Sequence, residues 1–340
     1  MKNTYIQKRR KQGGFTLLEL LVVVGILAII AGAIITAYDG FQERAARQTG
    51  LNTIASMTNT IRAFQTTGNQ RALPNNVETL IVATPTGAAA VANTNDIQST
   101  TAPTTPAIAP FLSTPLVQKL TNGTTAPTPQ NLGAIQAQAL FDAGVTQFRY
   151  VDVAQVSGTV AASGQVPLGL PALDDSSATP QVPALVNRTE MQTIFSPPVS
   201  GADNLGAGYA YVAGTAAAVQ NAPLMIWGGQ TTTPTTVGQN GNPDVFPENF
   251  ENTIVGADSD AVLVCLGIGK ESTLVNGNSN QDNVANLASA PFYGAVDVND
   301  YNHFIMLVDV NVPDGDRAQF IGVVDPNGNA LNEGATGGSN

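Results

Sequence analysis

One histidine, one cysteine and one tryptophan occur in 340 residues, and charged side chains make up only 11% of the chain. The lone thiol, Cys265, cannot form an internal disulfide, which excludes a bridged extracellular framework. Within "AVLVCLGIG" it reads as a small buried apolar residue on a strand. The lone histidine, His303, would have to serve any Ser-His-Asp or Cys-His arrangement by itself. It stands in "NDYNHFIML", at a turn before an apolar run, where an exposed or capping role is expected. Neither H-E-x-x-H nor G-x-S-x-G occurs. "GIGKES" resembles a phosphate loop only in part, with Val264 in place of the first glycine and Glu271 in place of the Ser/Thr. So sparse an inventory argues against an enzyme.

Positive charge is scarce as well, with 14 basic residues against 25 acidic ones. Five of the basic ones, Lys2, Lys8, Arg9, Arg10 and Lys11, precede Gly14, and no acidic residue does. The remainder keeps nine basic side chains against 25 acidic ones, a formal charge of -16. Such a body repels phosphate backbones and offers no basic stripe, so nucleic-acid binding is not expected.

The chain does have one long apolar run. From Phe15 to Ala37 only Thr16, Glu19 and Thr36 carry polar side chains. At about 1.5 Å per helical residue, these 23 residues suffice for a hydrocarbon core of about 30 Å. The basic cluster on the N-terminal side leaves that end in the cytoplasm and everything after Tyr38 exported. A secretory signal would have a shorter apolar core followed by small residues. Here the small pair, Gly13 and Gly14, comes first.

"KQGGFTLLELLVVVGILAIIAGAIITAY" closely resembles the N-terminus of type IV pilins and type II secretion pseudopilins. The resemblance implies cleavage after Gly14 by a prepilin peptidase on the cytoplasmic face and methylation of the new N-terminus at Phe15. It implies a further role for Glu19. A carboxylate within hydrocarbon costs about 2.5 kcal/mol or more and needs a partner. The amine freed at Phe15, one helical turn away, can supply it in the same chain or in a neighbour. Ala28 and Thr36 stand where the family often has glycine and proline, so less loosening of this helix is expected. The implied partners are identical or related pilin subunits, the prepilin peptidase and an assembly platform in the bacterial inner membrane.

Beyond Tyr38, Leu51, Ile54, Met57, Ile61 and Phe64 recur at helical spacing, with Arg44, Arg47 and Arg62 among the polar positions. The pattern predicts one helix from about Phe15 to about Gln65, ended by Gly68, Asn69 and Pro74. Residues 84–130 are rich in Thr and Pro and read as a surface insertion or excursion. N-x-[ST] matches at Asn122 and Asn187 are too short to weigh. A short helix is expected from about Leu132 to Ala143. Strands are expected in "VTQFRYVDV", "GYAYVAG", "PLMIWG", "DAVLVCLGIG", "FYGAVDV", "HFIMLVDVNV" and "FIGVVD", the last three forming a meander.

One constellation suggests ligand chemistry. "DVNVPDGDR" gathers Asp309, Asn311, Asp314 and Asp316, oxygen donors of the kind calcium takes. "DPNGNALNE", with Asp325, Asn327, Asn329 and Glu333, spaces oxygens like a calcium loop but lacks glycine at the sixth position. Asp, Asn and Gly also simply make turns. The pilin resemblance adds that major pseudopilins bind calcium in a C-terminal loop.

The expected fold is α+β: a long N-terminal α-helix, its first half transmembrane, packed on a mostly antiparallel β-sheet domain. The expected division is a leader at 1–14, a membrane or filament-core helix at 15–38, its amphipathic continuation at 39–66 and an exported domain at 67–340. The expected function is that of a structural filament subunit of a type IV pilus or a secretion pseudopilus. The alternative is an adhesin-like tip protein whose domain binds a surface or a secreted substrate.

Overall fold

The computed structural model describes residues 17–67, 72–90, 96–121, 127–153, 192–197, 206–229, 261–275, 287, 290–294, 296–297 and 300–330. Gly14, Phe15, Gly68, Asn69, Asn122, Asn187, Glu333 and the C-terminal "GATGGSN" lie outside these residues. The chain divides into two units, residues 1–47 and 48–340.

Helix α1 runs over Leu17–Thr67 without a break. Gly25 and Gly32 each weaken a helix by about 1 kcal/mol relative to alanine. Among the described residues, no helix is long and apolar enough to cross a membrane. The described side chains of the apolar run cover Leu17 to Gly32, 16 residues, which falls short of a spanning segment. The expected transmembrane half of α1 is to that extent not borne out by its described part.

In the second unit, α1 follows its sequence pattern. Ile54, Met57 and Ile61 are buried, Leu51 and Phe64 are partly so, and Arg62 faces solvent. The remaining helices are α2 (Thr114–Leu120), α3 (Ala134–Asp142) and α4 (Ala216–Gln220). The strands are β1 (Val77–Thr84), β2 (Ala89–Ala90), β3 (Ile97–Ser99), β4 (Thr104–Ile108), β5 (Gln147–Asp152), β6 (Gly208–Val212), β7 (Met225–Ile226), β8 (Leu263–Gly267), β9 (Ile305–Asp309) and β10 (Gln319–Val324). They form one sheet in the order β10-β9-β8-β1-β5-β6-β3-β2, with β4 also paired to β1 and β7 to β8.

The sheet is mixed, where a mostly antiparallel one was expected. β1 runs parallel to β5 and β3 parallel to β6, while the other described pairings are antiparallel. A parallel neighbour needs a long crossover, and the segment between β1 and β5, which includes α2 and α3, supplies one. Strand β1 is central to this arrangement. It contacts β4, β5 and β8, and all but its last residue is buried. Its pairing with β5 slips between Glu78 and Val82, where Leu80 takes a positive φ of 62° while fully buried. A left-handed conformation is costly for a branched side chain. Here it redirects the strand from β8 on one stretch to β4 on the next.

The Thr/Pro-rich stretch is not merely a surface excursion. It contributes β3 and β4 to the sheet, and Ala109, Phe111, Leu112, Leu116 and Leu120 enter the core. Among its described residues the longest exposed run is Thr104–Ala107. Ser113 starts α2 by accepting the Leu116 N–H, and Pro115 follows in the first turn, where its missing donor costs nothing. At the other end of the chain, the meander is β8–β9–β10. "FYGAVDV" contributes only the bridge between Phe292 and His303 among its described residues.

Candidate functional site

The first candidate is the N-terminal stretch of α1. Leu17, Leu18, Leu20, Leu21, Val22, Val23, Val24, Ile26, Leu27, Ile29 and Ile30 are all between 48% and 85% exposed. At 100° per residue these positions circle the helix, so no single face accounts for them. A helix apolar all round is at home only inside lipid or among other helices. Glu19, in the first turn, is the one carboxylate on this surface and is itself exposed. Gly14 and Phe15 stand just outside the described residues.

The second candidate was not foreseen. His303, expected in an exposed or capping role, is 1% exposed. Its Nδ1 lies 2.9 Å from Glu78 Oε2 and 3.1 Å from Oε1. Tyr301 donates its hydroxyl to Glu78 Oε2 at 2.6 Å. Burial, with the adjoining Glu78 carboxylate, pushes the Tyr301 phenol well up. Room for the carboxyl comes from β8 and the residues after it: a side chain at Gly269 would fall on Glu78, and one at Gly267 on the Tyr301 hydroxyl. The two glycines of "GIGKES" thus make room for a buried carboxylate.

His303 Nε2 is buried without a hydrogen-bond partner. Among the described residues no hydroxyl or thiol is bonded to it. The Glu78–His303 pair joins β1 to the segment entering β9. On the neighbouring strand β5, Arg149 is fully buried, its Nη2 2.7 Å from Asp96 Oδ1 and its Nε 2.8 Å from the Phe195 carbonyl. Burial lowers the Arg149 pKa, and the charges of Asp96, Glu271 and Glu78 act in the opposite sense. Arg149 is paired with Asp96, as a buried charge must be.

The acidic residues proposed from sequence do not converge. Asp309 is buried, and its Oδ1 accepts the N–H groups of Val262 and Asn311 at 3.0 and 2.9 Å. Asn311 is half-buried, while Asp314 and Asp316 are exposed. Among the described residues no group of three or more His, Cys, Asp or Glu side chains is placed to hold a metal ion. Cys265 is fully buried on β8, and burial drives its thiol pKa far up, as suits an inert apolar residue.

Sequence comparison bears on the first candidate. Residues 9–35 match the family model described as the prokaryotic N-terminal methylation motif. The type II secretion system core protein G of Pectobacterium carotovorum subsp. carotovorum is 33% identical over 69 residues, 20% of this chain and 44% of that protein. The proteins of the same name from Aeromonas hydrophila and Vibrio cholerae are 33% identical over 63 residues and 38% over 60. These alignments cover 18% of this chain, and 44% and 41% of the two relatives. The chain thus spans less than half the length of the curated relatives it matches. No solved structure matches it.

Proposed function

We propose that the chain, whose residues 9–35 match the prokaryotic N-terminal methylation motif and whose N-terminal part is similar to type II secretion system core protein G, is a structural subunit of a type IV pilus or secretion pseudopilus filament. The precursor is held in the bacterial inner membrane by the Phe15–Ala37 run, with its basic leader in the cytoplasm. A prepilin peptidase cuts after Gly14 and methylates Phe15. An inner-membrane assembly platform then moves the subunit into a filament of identical or related chains. The acidic sheet domain faces outward, in the periplasm or at the cell surface.

One observation carries this reading: the aliphatic surface of α1 is exposed all round from Leu17 to Ile30. Covering each such side chain contributes about 1.5–3 kcal/mol. First lipid and then neighbouring helices provide that cover. Glu19 fits the same scheme, since its desolvation is offset by the amine that cleavage creates at Phe15.

Mass spectrometry of the mature chain tests the processing step, with an N-terminal N-methylated Phe15 as the expected result. The chain is also expected in sheared surface filaments or in a purified pseudopilus. An intact Met1, or a cut elsewhere, would refute the proposal.

A further inference from the structure

The turn that follows β10 has the oxygen spacing of a cation loop, yet both Asp325 carboxylate oxygens and the Asn329 Oδ1 are already engaged. Asp325 is buried, and its Oδ1 accepts the N–H groups of Asn327 and Asn329 at 2.9 and 2.8 Å. Its Oδ2 accepts from Asn329 Nδ2 at 3.1 Å. Two backbone bonds close the turn, from Gly328 N to Asp325 O at 2.8 Å and from Asp325 N to Asn329 O at 3.0 Å. A buried carboxylate amid carbonyl oxygens calls for a positive charge.

The chain provides one from a distant segment. Lys119, in the last turn of α2, donates from Nζ to the Gly328 carbonyl at 2.8 Å and to Asn329 Oδ1 at 3.4 Å. Its charge also acts on Asp325, favouring the carboxylate against the burial that raises that group's pKa. The aliphatic stem has its own seat. Gly328 has a φ of +77°, and a Cβ there would stand 2.9 Å from Lys119 Cδ and 3.1 Å from Trp227 Cη2. At the opposite end of α2, Ser113 donates to the Pro326 carbonyl at 2.9 Å. The seven-residue helix thus grips the turn from both ends.

We infer that the Lys119 ammonium is the resident cation of the Asp325–Asn329 turn, so that a tethered charge closes the turn and no metal ion is held there. The fastening joins the end of the sheet to the Thr/Pro-rich segment and persists whatever the divalent-ion concentration outside.

The test uses the full-length chain in detergent and two variants, Lys119→Met and Lys119→Arg. The methionine variant keeps an aliphatic stem beside Gly328 and removes the charge. It is expected to lower Tm by a few degrees and to speed hydrogen exchange at the Asn327–Asn329 amides about tenfold. Lys119→Arg restores part of that protection. Neither calcium chloride nor EDTA changes the wild-type Tm or the exchange of these amides. Wild-type exchange and Tm in Lys119→Met would overturn the inference. So would a calcium-dependent slowing of exchange at these amides in the unaltered chain.

Discussion

Glu78 and His303 stand 225 residues apart in sequence and meet at 2.9 Å in the interior, where their side chains are 3% and 1% exposed. Removing one member of such a pair leaves the other's polar atoms buried without compensation. Glu78→Ala is expected to cost about 3–5 kcal/mol in chemical denaturation of the full-length chain. Gly269→Ala, which sets a methyl group on the same carboxyl, is expected to cost about 1–3 kcal/mol through overpacking. A Glu78→Ala loss below about 1 kcal/mol would contradict the described geometry.

Asp309 holds two N–H groups with one oxygen. Asp309→Ala strips both of their acceptor, at about 1–3 kcal/mol for each left unsatisfied. Asp309→Asn keeps the oxygen and is expected to lose far less. Equal losses in the two variants, read from thermal melts, would show that the negative charge matters more than the hydrogen bonds.

Burial, with Asp297 nearby, pushes the Asp300 carboxyl above its ordinary value. A carboxyl raised on folding contributes stability in acid that is lost as pH rises through the raised value. Asp300→Asn is therefore expected to raise Tm slightly at neutral pH, the partial exposure keeping the effect small. The advantage fades as pH falls below the ordinary carboxylate range, near about 4. Paired melts across that range check it, and an advantage independent of pH would contradict the assignment.

Cys265 lies on β8 with no exposed surface and a thiol pKa driven far up. Iodoacetamide at mildly alkaline pH is expected to leave it unmodified in the native chain and to label it fully in denaturant. Rapid native labelling would place it at a surface.

Glu19→Ala keeps the Gly14–Phe15 junction and removes the carboxylate from the first turn of α1. The variant is expected to be cleaved and methylated normally and to be missing from sheared filaments. Filaments formed at wild-type yield would leave Glu19 with no part in assembly.

Much of the second unit's organisation was legible in residue spacing. The Ile54, Met57 and Ile61 stripe is the buried face of α1, and the β-branched runs that include Val151, Val264 and Val308 became central strands. Strand β1 was not legible. "VETLIVAT" is buried almost throughout, so it lacks the alternation that marks a half-covered strand. The inward turn of the Thr/Pro-rich stretch was masked by its composition, although Phe111, Leu112, Leu116 and Leu120 anchor it. The Glu78–His303 pair and the Lys119 contact depend on strand order, which brings together groups more than 200 residues apart. Local patterns carry no such information, and His303 before an apolar run reads the same whether it faces water or a carboxylate.

Strand β1 leaves the first helix early in the chain, yet two of its neighbours are β5 and β8. The pairing of Glu78 with Gly267 closes a loop of nearly 190 residues. Contacts this distant in sequence are slow to form and follow, rather than lead, local structure. While the chain is being made, β4 and β5 emerge early enough to pair with β1, but its Glu78 stretch waits on one edge until β8 emerges and gains the Tyr301 and His303 contacts later still. Shortened chains that stop before residue 263 should keep α1 but hold an unsatisfied apolar strand, the kind of surface that holdase chaperones recognise. Synthesis of the last quarter of the chain is thus the step that commits it to a finished domain.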